Sequence, residues 1–251
     1  MVDARARRFV RSEQDIKTKR GTNLKMKVFL TVILGILTLT SSSWAVPLKV
    51  NDQIILTYGS AHSGNGGEFA VYLGSIAPAN KQFETFCLEA NEYFNPGGTY
   101  KIAGISDYAS YGGTGFDSLD GKSDAQHDYL SLQTRWLYYN FTKDFAGAGV
   151  SYFNNNDDAG LLQNAIWHFE NEISLTDPSG NKFVIAANAA INTGNYNWSV
   201  LQQVKALNLI DSQGIRKQDQ LYLATPEPVS MLLFGTGLFG IGGYLRRKFK
   251  K

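Results

Sequence analysis

The chain has 251 residues, with 24 Lys+Arg, 22 Asp+Glu and a single cysteine. The charge is uneven: nine basic residues fall in 1–27 and five in 226–251, leaving ten basic against 18 acidic residues in 28–225. An acidic middle removes the electrostatic basis for nucleic-acid binding, and one cysteine excludes an internal disulfide.

The first 25 residues are basic and polar, and show no apolar period. Lys25-Met26-Lys27, the apolar run Val28 to Leu39 and the small-residue end Ser43-Trp44-Ala45 then read as a secretory signal peptide, cut between Ala45 and Val46. Met26 reads as the natural start and residues 1–25 as an extension ahead of it. Residues 46–224 are expected to form one exported domain, large enough for a sizeable core.

Gln53 to Tyr58 predicts a strand. A Gly-rich turn at 63–67 joins it to a second strand, Phe69 to Leu73, as a hairpin. Gln82 to Glu89 predicts a strand with Phe83, Thr85 and Cys87 on one face, by the period of two. Asn95-Pro96-Gly97-Gly98 is a turn signal before a strand over 99–105. Residues 106–124, rich in Gly, Ser, Asp and Tyr, predict an exposed loop.

The middle predicts helices. One spans about 125–141, with Leu130, Thr134, Leu137 and Phe141 on one face. A second spans 158–172, with Leu162, Ile166, Phe169 and Ile173 as an apolar stripe and Asn156 or Asp157 as its cap. In that helix Gln163 and Trp167 lie four residues apart, on one face. A short helix follows at 184–191. Ser199 with Gln202 forms a capping-box signature for a helix through Leu209. Residues 219–224 predict a closing strand. Strands, then helices, then a last strand favour an α+β fold.

At the far end, Pro226-Glu227-Pro228 precedes an apolar stretch, Val229 to Leu245. The basic cluster Arg246-Arg247-Lys248 and three further residues close the chain. The stretch spans roughly 25 Å as a helix, long enough for a thin hydrocarbon core. The basic end would stay cytoplasmic, placing 46–225 outside the inner membrane.

Two resemblances follow from these residues. The tripartite tail resembles the PEP-CTERM sorting signal over 225–251. It implies that an exosortase recognises and cleaves near Pro226-Glu227-Pro228, after a transient stay in the inner membrane. The mature protein is then expected at the cell surface or in the extracellular matrix of a Gram-negative-type bacterium. Phe86-Cys87-Leu88-Glu89 and Leu162-Gln163-Asn164-Ala165-Ile166-Trp167 together resemble the two motifs of the thioester domain of bacterial surface adhesins; Leu162 stands where that family usually has Thr. This resemblance implies a thioester between Cys87 and Gln163, formed without a cofactor and sheltered by Trp167, Ile166 and Phe86. It also implies a target amine, typically a protein lysine, that bonds covalently to Gln163 once rather than by enzymatic turnover. The rival expectation is a non-covalent structural protein of the surface or matrix.

Other constellations are weaker. His62, His127 and His168 could serve Cys87 as a hydrolase base, but nothing local places them beside it. Asn154 to Asp158 offers hard oxygen ligands, yet without the EF-hand spacing, and reads more simply as a helix cap. The aromatic run Trp136 to Phe141 could stack on sugars, but at helical spacing it reads as core.

Overall fold

The computed structural model describes residues 47–64, 66–74, 81–110 and 127–224. The signal peptide and the apolar tail expected from the sequence lie outside the described residues, as do residues 111–124 of the expected loop. Eight strands are described: β1 Gln53–Ser63, β2 Gly66–Leu73, β3 Lys81–Thr85, β4 Gly98–Ser106, β5 Tyr108–Ser110, β6 His127–Tyr129, β7 Val204–Ile210 and β8 Arg216–Leu223. The helices are α1 Leu132–Phe141, α2 Asn156–Phe169, α3 Lys182–Asn192 and α4 Trp198–Leu201. The class agrees with the α+β expectation, but two strands rather than one follow the helices.

Six strands form one antiparallel sheet in the order β3-β2-β1-β4-β7-β8. The sheet curls until its two edges meet. Just past β3, Leu221 N donates to Phe86 O at 3.0 Å and Leu88 N to Asp219 O at 3.0 Å. Cys87 bridges Gln220 between them, and Thr85 Oγ1 donates to Leu221 O at 2.6 Å. Closure removes the two free edges that an open sheet would expose.

The period of two sorts the side chains into two cores. Ile54, Leu56, Phe69, Val71, Cys87, Tyr100, Ile102, Leu207 and Leu209 share the inner face of the curl with Tyr222. The other core lies between sheet and helices. There Phe86, Leu88, Ala206 and Leu221 meet Leu137 and Tyr138 of α1, Leu162 and Ile166 of α2, and Phe183 of α3. Helix α2 lies across β1 and β2.

Several elements differ from their sequence expectation. Cys87 is not inside a strand paired as β3 is. The chain leaves β2 after Thr85 and bridges β8 instead. Helix α1 starts only at Leu132, because 127–129 pairs with β5 and Ser131 Oγ accepts from Thr134 N at 3.0 Å. Helix α2 begins earlier than expected: Asn155, not Asn156 or Asp157, caps it, with Oδ1 accepting from Asp158 N at 2.8 Å. It ends at Phe169, so Ile173 lies beyond the stripe. The helix expected from Ser199 to Leu209 is instead one turn followed by a strand. Asn197 caps the turn, and β7 is hydrogen-bonded on both sides, to β4 and β8. A strand buried on both faces has a near-continuous apolar run, which periodicity alone does not distinguish from a buried helix.

Candidate functional site

The site forms where β2 and β3 part. Phe69 pairs with Thr85, so the same register would set Gly67 opposite Cys87. The side chain of Gln163 enters at that step. Its Oε1 accepts from Cys87 N at 3.1 Å and from Gly67 N at 3.4 Å, and its Nε2 donates to Cys87 O at 2.8 Å. The carboxamide thus stands where ladder bonds would otherwise run, holding α2 to the closing seam of the sheet. Cys87 is fully buried and Gln163 is 1% exposed.

Two glycines open the space. A Cβ on Gly66 would lie 2.5 Å from Gln163 Cγ and 3.0 Å from Trp167 Cη2. Gly67 has φ +106°, a backbone conformation that favours glycine. Glycine in a strand often marks a close approach of another group. That was the signal the Gly66-Gly67 pair carried in the sequence, where it reads first as part of a turn.

The residues expected around the pair divide between the two cores. Trp167 is half-buried against the inner cluster that contains Cys87. Its buried Nε1 has no hydrogen-bond partner among the described residues. Phe86 and Ile166 are buried on the helix side, with Phe86 edge-on to Phe141 at 4.9 Å. His168 is partly buried on α2, its ring 5.3 Å from that of Phe169. The aromatic run of α1 is largely core: Trp136, Leu137 and Tyr138 are buried.

A buried polar group on β8 faces the sulfur. Gln220 Nε2 donates to Cys87 Sγ at 3.4 Å and to Gln218 O at 3.3 Å. Glu89, two residues past the cysteine, accepts from Asp219 N at 2.8 Å through Oε2. Asp219 in turn accepts from Ser110 N at 2.8 Å, Asn208 Nδ2 at 2.6 Å and Leu209 N at 2.9 Å. Burial raises the pKa of Glu89, and the neighbouring Asp219 adds to the rise. Burial pushes Asp219 up to about 7. Burial likewise raises the Cys87 thiol; the Gln220 hydrogen bond opposes that rise and Glu89 adds to it. Sequence reasoning missed Gly66, Gly67 and Gln220.

The arrangement presents an amide carbonyl to two backbone N–H groups, one of them that of Cys87, whose thiol is shut away from water. Donors aimed at a carbonyl oxygen can stabilise the oxyanion that forms when a nucleophile attacks the carbon. Among the described residues, no group of three His, Cys, Asp or Glu is placed to hold a metal ion. No described helix is long and apolar enough to cross a membrane.

Residues 224–248 match the PEP-CTERM protein-sorting motif. The motif marks the chain as one sorted by an exosortase, exported as a membrane-anchored precursor and then carried to the cell surface. No curated protein and no solved structure matches it.

Proposed function

We propose that this surface protein stores an internal thioester between Cys87 and Gln163, and uses it to bond covalently to amines on a target surface or matrix. The Cys87 sulfur attacks Gln163 Cδ, a carbon–sulfur bond forms, and the carbon–nitrogen bond breaks. The thiol proton leaves with the nitrogen, so ammonia is released and no cofactor is consumed. A target amine, such as a protein lysine, later attacks the same carbon. An amide then forms and the Cys87 thiol is returned.

The observation that supports this reading is the three-bond seating of the Gln163 carboxamide on Cys87 and Gly67. Cys87 N–H and Gly67 N–H face the oxygen that carries negative charge in both steps. Burial of the pair, with Trp167 alongside, limits hydrolysis by keeping water out. Intact mass spectrometry of the exported protein tests the bond. The wild type is expected to be one ammonia lighter than its sequence, and Cys87→Ala and Gln163→Ala each restore the full mass. Full sequence mass in freshly isolated wild type, with Cys87 open to alkylation after unfolding, would overturn the reading.

One observation favours the rival, a non-covalent structural protein of the surface or matrix. Burial disfavours the thiolate of Cys87, and the thiolate is the nucleophile. In that case the Gln163 amide only ties helix to sheet, and the same mass measurement separates the two.

A further inference from the structure

We propose that Gln220 is a catalytic residue for the thioester: its side-chain amide stabilises the Cys87 sulfur both when it attacks Gln163 and when it leaves. This rests on the thioester reading above. The residue lies on β8, directly across the closing bridge from Cys87. It is fully buried, and its Nε2 stands 3.4 Å from Sγ.

The hydrogen-bond inventory around this amide is lopsided. Its Oε1 is buried and has no partner among the described residues. Its Nε2 is shared between Gln218 O and the sulfur. A neutral thiol is a weak acceptor, so in the resting thiol state this buried amide is poorly served. A sulfur carrying negative charge accepts a shorter and stronger bond. Negative sulfur occurs at two moments in the proposed chemistry, on attack at Gln163 Cδ and on departure when an amine opens the thioester. The amide is therefore better matched to those moments than to the resting thiol.

The charged surroundings make such a donor necessary. Glu89 follows Cys87 by two residues, and its carboxylate turns back along the seam to Asp219 N. Asp219 lies next to Gln220 on β8, and Glu92 stands close enough to act on both carboxylates. Of these acids Glu89 opposes negative charge at the sulfur, and burial opposes it more strongly. The Gln220 N–H is the hydrogen-bond donor that Sγ has among the described contacts. Proton balance needs no further group: the thiol proton leaves on ammonia in formation, and the proton lost by the attacking amine returns to sulfur in opening.

The test uses the full exported protein and three readouts: ammonia loss by mass, the rate of opening by methylamine, and the pH midpoint of the freed Cys87 thiol by thiolate absorbance. Gln220→Met keeps the volume and removes the donor. Opening is expected to slow by about ten- to a hundred-fold, the scale of one hydrogen bond to a charged atom, and the thiol midpoint to rise. Gln220→Glu, a second variant of the same size, should slow opening as well, most strongly once its carboxyl ionises. Ile102→Val, an inner-core change, controls for destabilisation and should leave the thiol midpoint unmoved. Wild-type opening rate and midpoint in Gln220→Met would overturn the proposal, as would slower opening with an unmoved midpoint, which assigns Gln220 to packing. A wild type at full sequence mass defeats the underlying thioester reading instead. The thiol midpoint in Gln220→Met then still decides whether Gln220 acts on the sulfur.

Discussion

The helix-side core and the Cys87 seam are neighbours built on opposite rules. In the first, Phe86, Leu88, Leu137, Tyr138, Leu162, Ile166 and Phe183 are at most 1% exposed and fill space with carbon. In the second, Gln163, Glu89, Asp219 and Gln220 are at most 2% exposed, yet polar. Glu89 Oε1, Gln220 Oε1 and Trp167 Nε1 have no hydrogen-bond partner among the described residues. Each buried, unsatisfied polar atom costs about 1–3 kcal/mol. A chain whose only task was to fold would fill the seam as it fills the helix-side core. The difference teaches where to look for chemistry: at the place where local rules of packing are broken in a cluster.

The contrast can be broken from the apolar side first. Leu137→Ala removes a fully buried side chain between α1 and the sheet, and is expected to cost about 2–5 kcal/mol. Chemical denaturation reads the loss. The folded fraction should still carry the bond, because no seam group has changed; loss of the bond in molecules that remain folded would show that the two regions are one.

Protonation sharpens the comparison next. Burial pushes Glu170 up to about 7, although Ser131 N and Oγ donate to it at 3.1 and 2.8 Å. Asp219 is pushed to the same region. For an acid raised in the folded state, the stabilising contribution is complete below the unfolded pKa, near 4.5 for Glu170, and is lost as pH rises through 7. The melting temperature should therefore fall between about pH 5 and pH 8, with up to about 3 kcal/mol assignable to Glu170. Glu170→Gln should flatten that part of the profile. A melting temperature that rises steadily over this range in the wild type would contradict the assignment.

The seam itself is probed by Gly66→Ala. Both reactive groups remain, but the new methyl would meet Gln163 Cγ and the Trp167 ring. Overpacking of this kind costs about 1–3 kcal/mol. The account expects full sequence mass in the folded variant, since the carboxamide can no longer seat on Cys87. An intact thioester in that variant would mean that the seating is not what brings the groups together. The smallest effect is at the start of α2: Asn155→Ala removes the cap bond to Asp158 N and should cost about 1 kcal/mol by thermal unfolding. It should leave Cys87 and Gln163 bonded, because they meet nearly two turns further along the helix.

Much of this was legible in the chain. The stripe Leu162, Ile166 and Phe169 announced α2 by its period, and Gln163 and Trp167 followed on the helix face that reaches the sheet. The hairpin of β1 and β2 was written in alternation and a Gly-rich turn. The seam was less legible, because it is made by a register. Nothing local to Cys87 says that the chain abandons β2 after Thr85 and bridges Gln220, more than a hundred residues away. Gln220 read only as one polar position in a closing strand. The capping-box signature of Ser199 and Gln202 carries the helix reading through Leu209, and burial of β7 on both faces erases the alternation that marks a strand. The sorting tail needed no fold, since its address lies in the contiguous string Pro226-Glu227-Pro228, apolar span and basic end.

The central claim, a stored electrophile at Gln163, is tested most directly by treating the freshly exported protein with methylamine and mapping the product by tandem mass spectrometry. The account predicts methylamine in amide linkage on Gln163 and one newly titratable thiol at Cys87, appearing together and at the same rate. No adduct at Gln163, with Cys87 already free before the amine is added, would contradict it.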